Sequence, residues 1–223
     1  MAAMEGPGRS LTLERAAAAI VAGGCVVYPT ETLYGLGAAM RREGALARIA
    51  AIKGRPKGKP LPLILGDFGQ IWDVVPDDFR DGPLFEDFSL LTRLFWPGSL
   101  SLAVPGREDL PRSLADERGM ISVRQTPHPL AAALCRLVKS PLSATSANKS
   151  GQPAARLPAE IDPELAELTD GVLASPPYPM GGAPSTVAAL LGGRRLRLIR
   201  EGAVPAAALE AAGFSLFGLT TRG

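Results

Sequence analysis

Short apolar segments alternate with helical patterns along this sequence, and that alternation limits the possible folds more than any other feature. The apolar segments predicted as strands are residues 25–28, 61–65, 99–104, 119–124, 141–145, 171–175, 185–190 and 195–200. Helical patterns occupy residues 10–21, 43–54, 67–75, 84–96, 128–138, 160–168 and 205–214. Because no repeat or break in composition interrupts the alternation, we predict one α/β domain over residues 1–223, with its core at about 10–210. The sheet is expected to be open, mixed and strongly twisted.

The charge of the chain is nearly balanced overall but uneven along its length. The 223 residues are 46% hydrophobic with a formal net charge of +2, so the chain can bury a core and does not favour nucleic acid as its main partner. Residues 41–59 carry seven basic groups against Glu43, whereas residues 67–87 carry seven acids against Arg80. A basic strip beside an acidic one predicts a local anionic ligand.

The cysteines, the histidine and the N-terminal segment argue against several classes of protein. Cys25 and Cys135 lie in apolar runs without metal-type spacing, which predicts buried, reduced thiols and no metal site. His128 is the only histidine and is expected to cap or pack at a helix start; without a G-x-S-x-G motif, a hydrolase is disfavoured. No apolar run approaches the roughly 20 residues of a membrane span, and no signal core is present, so a cytoplasmic protein without membrane contact is expected.

The segment CVVYPTETLYGLG, residues 25–37, begins as a buried strand and then turns polar. The strand is followed at once by two hydroxyls, a carboxylate and a phenol, at Thr30, Thr32, Glu31 and Tyr34. Open α/β sheets tend to bind ligands where strands end, and these groups can hold a small polar substrate. Gly35 and Gly37 would let the backbone come close to such a ligand. The alternative is a turn whose hydroxyls cap the next element.

Two further segments carry groups suited to anion binding. KGRPKGKPL, residues 53–61, places an arginine fork beside lysine charges, which predicts a polyphosphate clamp; the alternative is a solvated basic helix end. SATSANKSGQPA, residues 143–154, has four hydroxyls and Asn148 within eight residues, directly after an apolar strand. Its N–H and hydroxyl groups could cradle an anion, although neither Gly-rich nucleotide motif occurs; the alternative is a surface loop. Arg124 and Arg200 each end a predicted strand, where surface charges are common.

Taken in order, seven segments resemble the YrdC-like family, the threonylcarbamoyl-AMP synthases. The segments are YPTETLYGLG, KGRPKGKPL, WPGSLSLAV, ISVRQTPHPLA, SATSANKSGQPA, PSTVAAL and LIREGAV. The resemblance implies an open, twisted α/β sheet that wraps a deep, positively charged groove. Because the chain ends soon after Arg200, it is expected to be the short, single-domain form of the family.

The resemblance also implies a reaction. L-threonine, bicarbonate or CO2, and ATP give L-threonylcarbamoyl-adenylate and pyrophosphate, the first step of threonylcarbamoyladenosine modification in tRNAs that read ANN codons. Mg²⁺ is expected to accompany ATP, held by the nucleotide more than by protein carboxylates. The implied partners are downstream threonylcarbamoyltransferase proteins, and whether tRNA is contacted directly is left open.

Site residues follow from the matched motifs. The L-threonine-binding residues implied are Thr32, Arg124 and Ser185, with Arg124 facing the amino acid's carboxylate. The ATP-binding residues implied are Lys53, Arg55, Lys59, Ser146, Asn148 and Arg200. No catalytic residue is assigned beyond these binding groups, because positioning and cationic stabilisation suffice for such chemistry.

The sequence departs from the family pattern at two places. Ala188 and Ala189 stand where the family often has Val-Asp, and IREG replaces LRPG.

Three alternative functions were weighed against this interpretation. An RNA-binding module is disfavoured by the modest charge and the lack of an aromatic stripe. A paralogue without synthase activity is disfavoured because the K-x-R and S-x-N residues are all present. A carbamoyltransferase of the hydrogenase-maturation type would carry further domains.

Overall fold

The computed structural model of the chain describes residues 7–56 and 58–218, which contain helices packed on two sheets. The helices are α1 Leu13–Val21, α2 Glu43–Lys53, α3 Phe85–Phe95, α4 Pro129–Val138, α5 Pro163–Glu167 and α6 Ala206–Ala211. The strands are β1 Val26–Pro29, β2 Tyr34–Gly37, β3 Leu63–Leu65, β4 Leu100–Pro105, β5 Met120–Gln125, β6 Leu142–Ser143, β7 Thr145–Ser146, β8 Thr186–Leu190, β9 Arg195–Arg200 and β10 Ser215–Phe217. Short 3₁₀ helices occupy Phe68–Asp73, Asp77–Asp81, Arg112–Leu114 and Pro158–Glu160.

Both sheets are open, and the larger one is mixed. It has seven strands in the order β10-β9-β8-β4-β5-β3-β6, in which β4 is antiparallel to β5 and parallel to β8. The smaller sheet is antiparallel and has the order β1-β2-β7. This arrangement confirms the predicted mixed α/β class, while the positive charge of a groove stays a prediction.

One face of the larger sheet is apolar and the other carries small and polar side chains, because the two kinds of residue alternate along its strands. Leu102 is the cross-strand neighbour of Val123 and Ala188, and all three belong to the main hydrophobic core. One position along, Ala103 pairs with Ser122 and Ala189. Since successive side chains of a strand point to opposite faces, the patterns SLSLAV and MISVR place small and polar side chains opposite the core. Arg124 lies on that polar face, at the end of β5.

A second hydrophobic cluster fixes the position of the smaller sheet. Helices α1 and α4 pack together against β1, with Ile20, Tyr28 and Leu134 fully buried. Full burial of such a side chain contributes about 1.5–3 kcal/mol. The loop that follows β1 is therefore held on a rigid base.

Several local expectations differ from the structure. The first helix was predicted from residue 10, but α1 begins after Thr12, whose hydroxyl accepts a hydrogen bond from Arg15 N (3.3 Å). Ser10 instead forms an isolated bridge with Val172. Residues 171–175 were predicted as a strand but contribute only isolated bridges through Val172. The predicted helix at 67–75 is a 3₁₀ helix, Phe68–Asp73. Strands β2 and β10 were not predicted.

The predicted end of the second helix and the predicted buried thiols are confirmed. Helix α2 ends at Gly54, which adopts the left-handed conformation with φ +57° that glycine accommodates. Cys25 and Cys135 are buried free thiols, and burial raises the pKa of Cys25 to about 11 and that of Cys135 to about 12. Within residues 7–56 and 58–218, no helix combines the length and apolar character needed to cross a bilayer.

Candidate active site

The smaller sheet brings together the two polar loops that the sequence singled out. Strand β2 pairs with β7, so that Gly35 lies opposite Ser146. Beyond the paired residues, Ala147 N donates to Tyr34 O and Tyr34 N donates to Ala155 O, both at 2.8 Å. The loop after β1 and the Ser-rich loop after β6 are therefore neighbours in one hydrogen-bonded unit.

Gly37 is required for this close packing of strands. A Cβ atom at residue 37 would lie 1.9 Å from the carbonyl oxygen of Ser143, which also accepts a 2.7 Å hydrogen bond from the Tyr28 hydroxyl. The expectation that Gly37 admits a ligand is therefore corrected, because the space beside it is filled by backbone. At Gly35 the nearest atom to an added Cβ is the Thr30 methyl, at 3.4 Å.

Lys53 ties the Ser-rich loop to the end of α2. Its buried ammonium donates to the carbonyl oxygens of Ser146 and Asn148, the latter at 2.6 Å, and lies 3.4 Å from Asn148 Oδ1. In return, the backbone N and the hydroxyl of Ser150 donate to the Lys53 carbonyl at 3.2 and 2.9 Å. The Asn148 side-chain amide donates to Lys149 O (3.1 Å) and to Gln152 O, which closes the loop on itself. The K-x-R and S-x-N motifs therefore meet as predicted in space, with their ligand roles still to be tested.

Arg55 lies beside this loop and holds the following segment. Its Nε donates to Lys59 O at 2.9 Å, and its terminal nitrogens donate to Pro60 O at 2.6 Å and to Thr145 Oγ1 at 3.3 Å. The side chain of Lys59 is exposed. Thr145 is a contact that the sequence reasoning did not assign, although it lies in the quoted segment SATSAN.

The three cations at this end of the site are not compensated. Lys53, Arg55 and Lys59 make no ion pair with a carboxylate anywhere in the described ranges. Burial, and then the charges of Arg55 and Lys59, lower the pKa of Lys53 to about 8. Burial also lowers the pKa of Arg55. Like charges held together in this way favour an anionic ligand.

A buried ion pair forms the other end of the site. Arg124 Nε donates to Glu31 Oε1 at 2.8 Å, and the two side chains are only 6% and 4% exposed. The second carboxylate oxygen accepts from Thr126 Oγ1, also at 2.8 Å. Burial alone would raise the pKa of Glu31, but the Arg124 charge and the hydrogen bonds outweigh it and the pKa is lowered. Glu31 is therefore an anion in the folded protein.

Thr32 lies next to this pair and is covered by the segment that precedes β8. Its hydroxyl is 3.5 Å from that of Thr30, which donates to Leu33 O at 2.7 Å. The backbone N–H groups of Met180 and Gly181 donate to Glu31 O and Thr32 O at 3.3 and 2.9 Å. Thr32 is thereby buried between two loops, and it directly follows Glu31 in the chain.

Arg200 joins this end of the site rather than the lysine cluster. It donates to the Ser185 carbonyl at 2.7 and 3.1 Å and to the Ser185 hydroxyl at 3.3 Å. The same hydroxyl accepts from Ser101 Oγ at 3.1 Å. Burial and then the charge of Arg124 lower the pKa of Arg200, so the two guanidinium groups are near each other. The structure thus groups Ser185 with Arg124 and Arg200, and the predicted ATP contact of Arg200 stays untested.

Two polar groups near these loops are buried without a partner in the described part of the chain. They are the Tyr34 hydroxyl and His128 Nδ1. His128 precedes α4, as predicted, and its Nε2 lies 3.1 Å from Pro177 O. Burial lowers the pKa of His128. Among residues 7–56 and 58–218, no group of three or more histidine, cysteine or acidic side chains could hold a metal ion.

Comparison with known proteins identifies the family of this chain. The family model for Sua5, YciO and YrdC proteins, described as telomere recombination, matches residues 18–202. A curated threonylcarbamoyl-AMP synthase of Xanthomonas axonopodis pv. citri is 37% identical over 164 residues, which span 74% of this chain and 86% of that protein.

Solved structures agree with this match. The crystal structure of P. abyssi Sua5 complexed with L-threonine has a TM-score of 0.79 and 31% identity, covering 92% of this chain and 58% of that one. This chain thus spans less than two thirds of that Sua5 protein. Escherichia coli YciO has a TM-score of 0.70 and 25% identity, covering 91% of this chain and 96% of that one. The chain belongs to the Sua5/YciO/YrdC family.

Proposed function

We propose that this protein is an L-threonylcarbamoyl-adenylate synthase, a nucleotidyltransferase that uses L-threonine, bicarbonate or CO2, and ATP. The observation that carries the proposal is the junction of two unlike sites through β2 and β7. One is an uncompensated cluster of three cations, and the other is a group of buried hydroxyls with Arg124 and Arg200. The relatives named threonylcarbamoyl-AMP synthase and the Sua5 complex with L-threonine support the same assignment.

The pocket end is assigned to L-threonine. Arg124 binds the amino acid's carboxylate through its terminal nitrogens, because its Nε–H already donates a hydrogen bond to Glu31. Thr32 and Ser185 supply hydroxyls on either side of that contact. The amino group is thereby left free to react.

The cation cluster is assigned to the triphosphate of ATP. Lys53, Arg55 and Lys59 supply the charge, and the Ser146–Asn148 loop supplies N–H groups and polar side chains. Both Lys53 and Arg55 now donate to backbone carbonyls, so phosphate oxygens would replace some of those acceptors. Arg200, beside Ser185, lies where the amino acid and the α-phosphate would meet.

The reaction then consists of two nucleophilic steps. The threonine nitrogen forms a bond to the carbon of CO2, or of bicarbonate with loss of water, and gives up a proton to yield the carbamate. A carbamate oxygen forms a bond to the α-phosphorus as the bond to the β-phosphate oxygen breaks, and pyrophosphate leaves. Holding the reactants in line can supply about 7–11 kcal/mol of the barrier. The cations stabilise the charge that develops on the leaving group.

Mg²⁺ fits this site as a partner of the nucleotide. The Glu31 carboxylate is occupied by Arg124 and Thr126, and the cation cluster has no carboxylate paired with it in the described ranges. Phosphate oxygens and water would therefore supply most of the ligands, and Mg²⁺ would screen the charge of the triphosphate. We further propose a cytoplasmic enzyme that passes its product to a downstream threonylcarbamoyltransferase acting on tRNA.

The proposal is tested by pyrophosphate release from the purified protein with ATP and Mg²⁺. Release that requires both L-threonine and bicarbonate, together with a product of the mass of threonylcarbamoyl-adenylate, is the expected result. A folded protein that binds ATP but releases no pyrophosphate would contradict the proposal. Failure to bind ATP, with strong salt-sensitive binding of RNA, would instead favour an RNA-binding function.

A further inference from the structure

The two ends of the candidate site differ in how their positive charge is balanced. Lys53, Arg55 and Lys59 have no carboxylate partner in the described ranges, whereas Arg124 is paired with Glu31 at 2.8 Å. Arg200 lies close enough to Arg124 to feel its charge. The pocket end therefore holds two cations and one anion, a net charge of one positive.

This difference matters because each of the two substrates presents an anionic group to the site, a carboxylate in L-threonine and phosphates in ATP. Phosphate groups carry more charge than a carboxylate and bind strongly to paired arginines. A pocket holding Arg124 and Arg200 alone would attract phosphate as readily as an amino-acid carboxylate. With Glu31 present, the pocket's net charge matches a single carboxylate, and a phosphate dianion would face a buried anion.

Glu31 also fixes the orientation of Arg124. Its two oxygens accept from Arg124 Nε and Thr126 Oγ1, so the carboxylate is held from two sides. Thr126 Oγ1 in turn accepts from His128 N at 3.1 Å, at the start of α4. Nε is the only nitrogen of the Arg124 side chain with an acceptor among residues 7–56 and 58–218. The two terminal nitrogens, which form the bidentate edge, are left for a ligand.

We propose that Glu31 is a positioning residue that makes the amino-acid pocket accept a monocarboxylate and reject phosphate. Glu31 acts through Arg124 in two ways. Its carboxylate accepts the hydrogen bond of Arg124 Nε, and its negative charge offsets one of the two positive charges of Arg124 and Arg200. The inference rests on the proposed function. It adds a means by which one site directs the carboxylate of L-threonine and the phosphates of ATP to opposite ends.

The test compares Glu31→Gln with the wild type and with Glu210→Gln, an exposed glutamate on α6 as a control. Glutamine keeps the size of the side chain and an oxygen for Arg124 but removes the charge. At saturating ATP, the KM for L-threonine should rise about tenfold in Glu31→Gln, because a neutral amide oxygen holds Arg124 less firmly than the carboxylate does. Inorganic phosphate should become a competitive inhibitor against L-threonine with a Ki about tenfold lower than in the wild type, as a second arginine charge is exposed. Glu210→Gln should match the wild type in both measurements.

A second pair of variants separates orientation from charge. Thr126→Val removes the hydroxyl but leaves Glu31 ionised, so the KM for L-threonine should rise while phosphate inhibition stays at the wild-type level. Thr126→Ser keeps the hydroxyl and should restore the wild-type KM. If Glu31→Gln does not fold, as judged by circular dichroism, this pair carries the test alone, and an unchanged KM in Thr126→Val overturns the inference.

The outcomes distinguish the inference from the proposed function. A wild-type protein that releases no pyrophosphate in response to L-threonine overturns the function, and the inference falls with it. An active wild type, with Glu31→Gln unchanged in both KM and phosphate inhibition, overturns the inference alone.

Discussion

At the scale of single residues, the pKa values of charged side chains in this site depend strongly on the neighbouring groups. Lys53 is buried beside two other cations, and its pKa is lowered to about 8. Glu31 is equally buried, yet its pKa is lowered because Arg124 and Thr126 favour the ionised form. The candidate site therefore has one end with uncompensated positive charge, around Lys53, and one end where the charge of Arg124 is paired with that of Glu31.

The lowered pKa of Lys53 predicts a pH dependence of ATP binding. The ammonium is mostly charged below pH about 8 and mostly neutral above it. In the proposed site, the charged form would bind the phosphates of ATP. Affinity for ATP, measured by calorimetry from about pH 7 to about pH 9.5, should therefore fall above pH 8. Lys53→Arg stays protonated throughout this range and should show a flat profile. An equal fall in both proteins would show that Lys53 is not the titrating group.

The Glu31 ion pair predicts a pH dependence of stability. Because the pKa of Glu31 is lowered in the folded state, its stabilisation is present above its ordinary value of 4.5 and is lost as the pH falls through the folded-state value. Replacing one member of a buried pair costs about 3–5 kcal/mol. Urea unfolding of the wild type and Glu31→Gln should show this difference at pH 7, and the difference should shrink well below pH 4.5. A difference that does not change with pH would contradict the ion-pair account.

At the scale of elements, strand β2 decides how the two loops meet. It lies between β1 and β7, and its last residue, Gly37, passes against the Ser143 carbonyl. The hydrogen bonds of Tyr34 to Ala147 and Ala155 extend this contact toward the Ser-rich loop. Any displacement of β2 would separate the loop that carries Thr32 from the loop that carries Asn148.

Gly37→Ala tests the role of this strand. Its added methyl group would lie 1.9 Å from backbone, a contact that forces the strands apart, so a loss of about 1–3 kcal/mol or more is expected in urea unfolding. The matched control is Gly44→Ala, in helix α2, where an added Cβ meets nothing within 4 Å. That change should stabilise the protein by about 0.5–1 kcal/mol. Similar effects of the two substitutions would show that the close approach at Gly37 does not constrain the sheet.

The elements show which parts of the fold were predictable from local pattern. Strands β4 and β5 alternate in hydrophobicity and were predicted within a residue or two. Strand β2, with the sequence YGLG, was missed because two glycines give no strand signal and its Gly37 is selected by packing. The apolar run at 171–175 is buried as expected, but only Val172 forms bridges there. Composition could not reveal which neighbour a short segment would pair with.

The same limit applied to the candidate site. Lys53 and Arg55 lie two positions apart, so the motif itself brought them together, and SATSAN is one continuous stretch of sequence. Glu31 and Arg124 are 93 residues apart, and their ion pair depends on how β5 ends beside the loop after β1. Arg200 was assigned to ATP from the family pattern and that role stays a prediction, but its hydrogen bonds to Ser185, 15 residues away, could not be read from the sequence.

At the scale of the whole molecule, the fold joins two unlike groups of polar side chains. The larger sheet carries Arg124, Ser185 and Arg200 at its strand ends, and the smaller sheet links them to the loop held by Lys53. The central claim is that the amino acid and the nucleotide occupy separate ends of this joined site.

The most direct measurement is a crossed calorimetric titration of L-threonine and ATP into the wild type, Thr32→Ala and Arg55→Ala. The account predicts that Thr32→Ala weakens L-threonine binding about tenfold, the scale of a lost hydrogen bond, with ATP binding within about twofold. Arg55→Ala should do the reverse and abolish pyrophosphate release while the protein stays folded. If each substitution weakens both ligands equally, the division of the site into two ends is wrong.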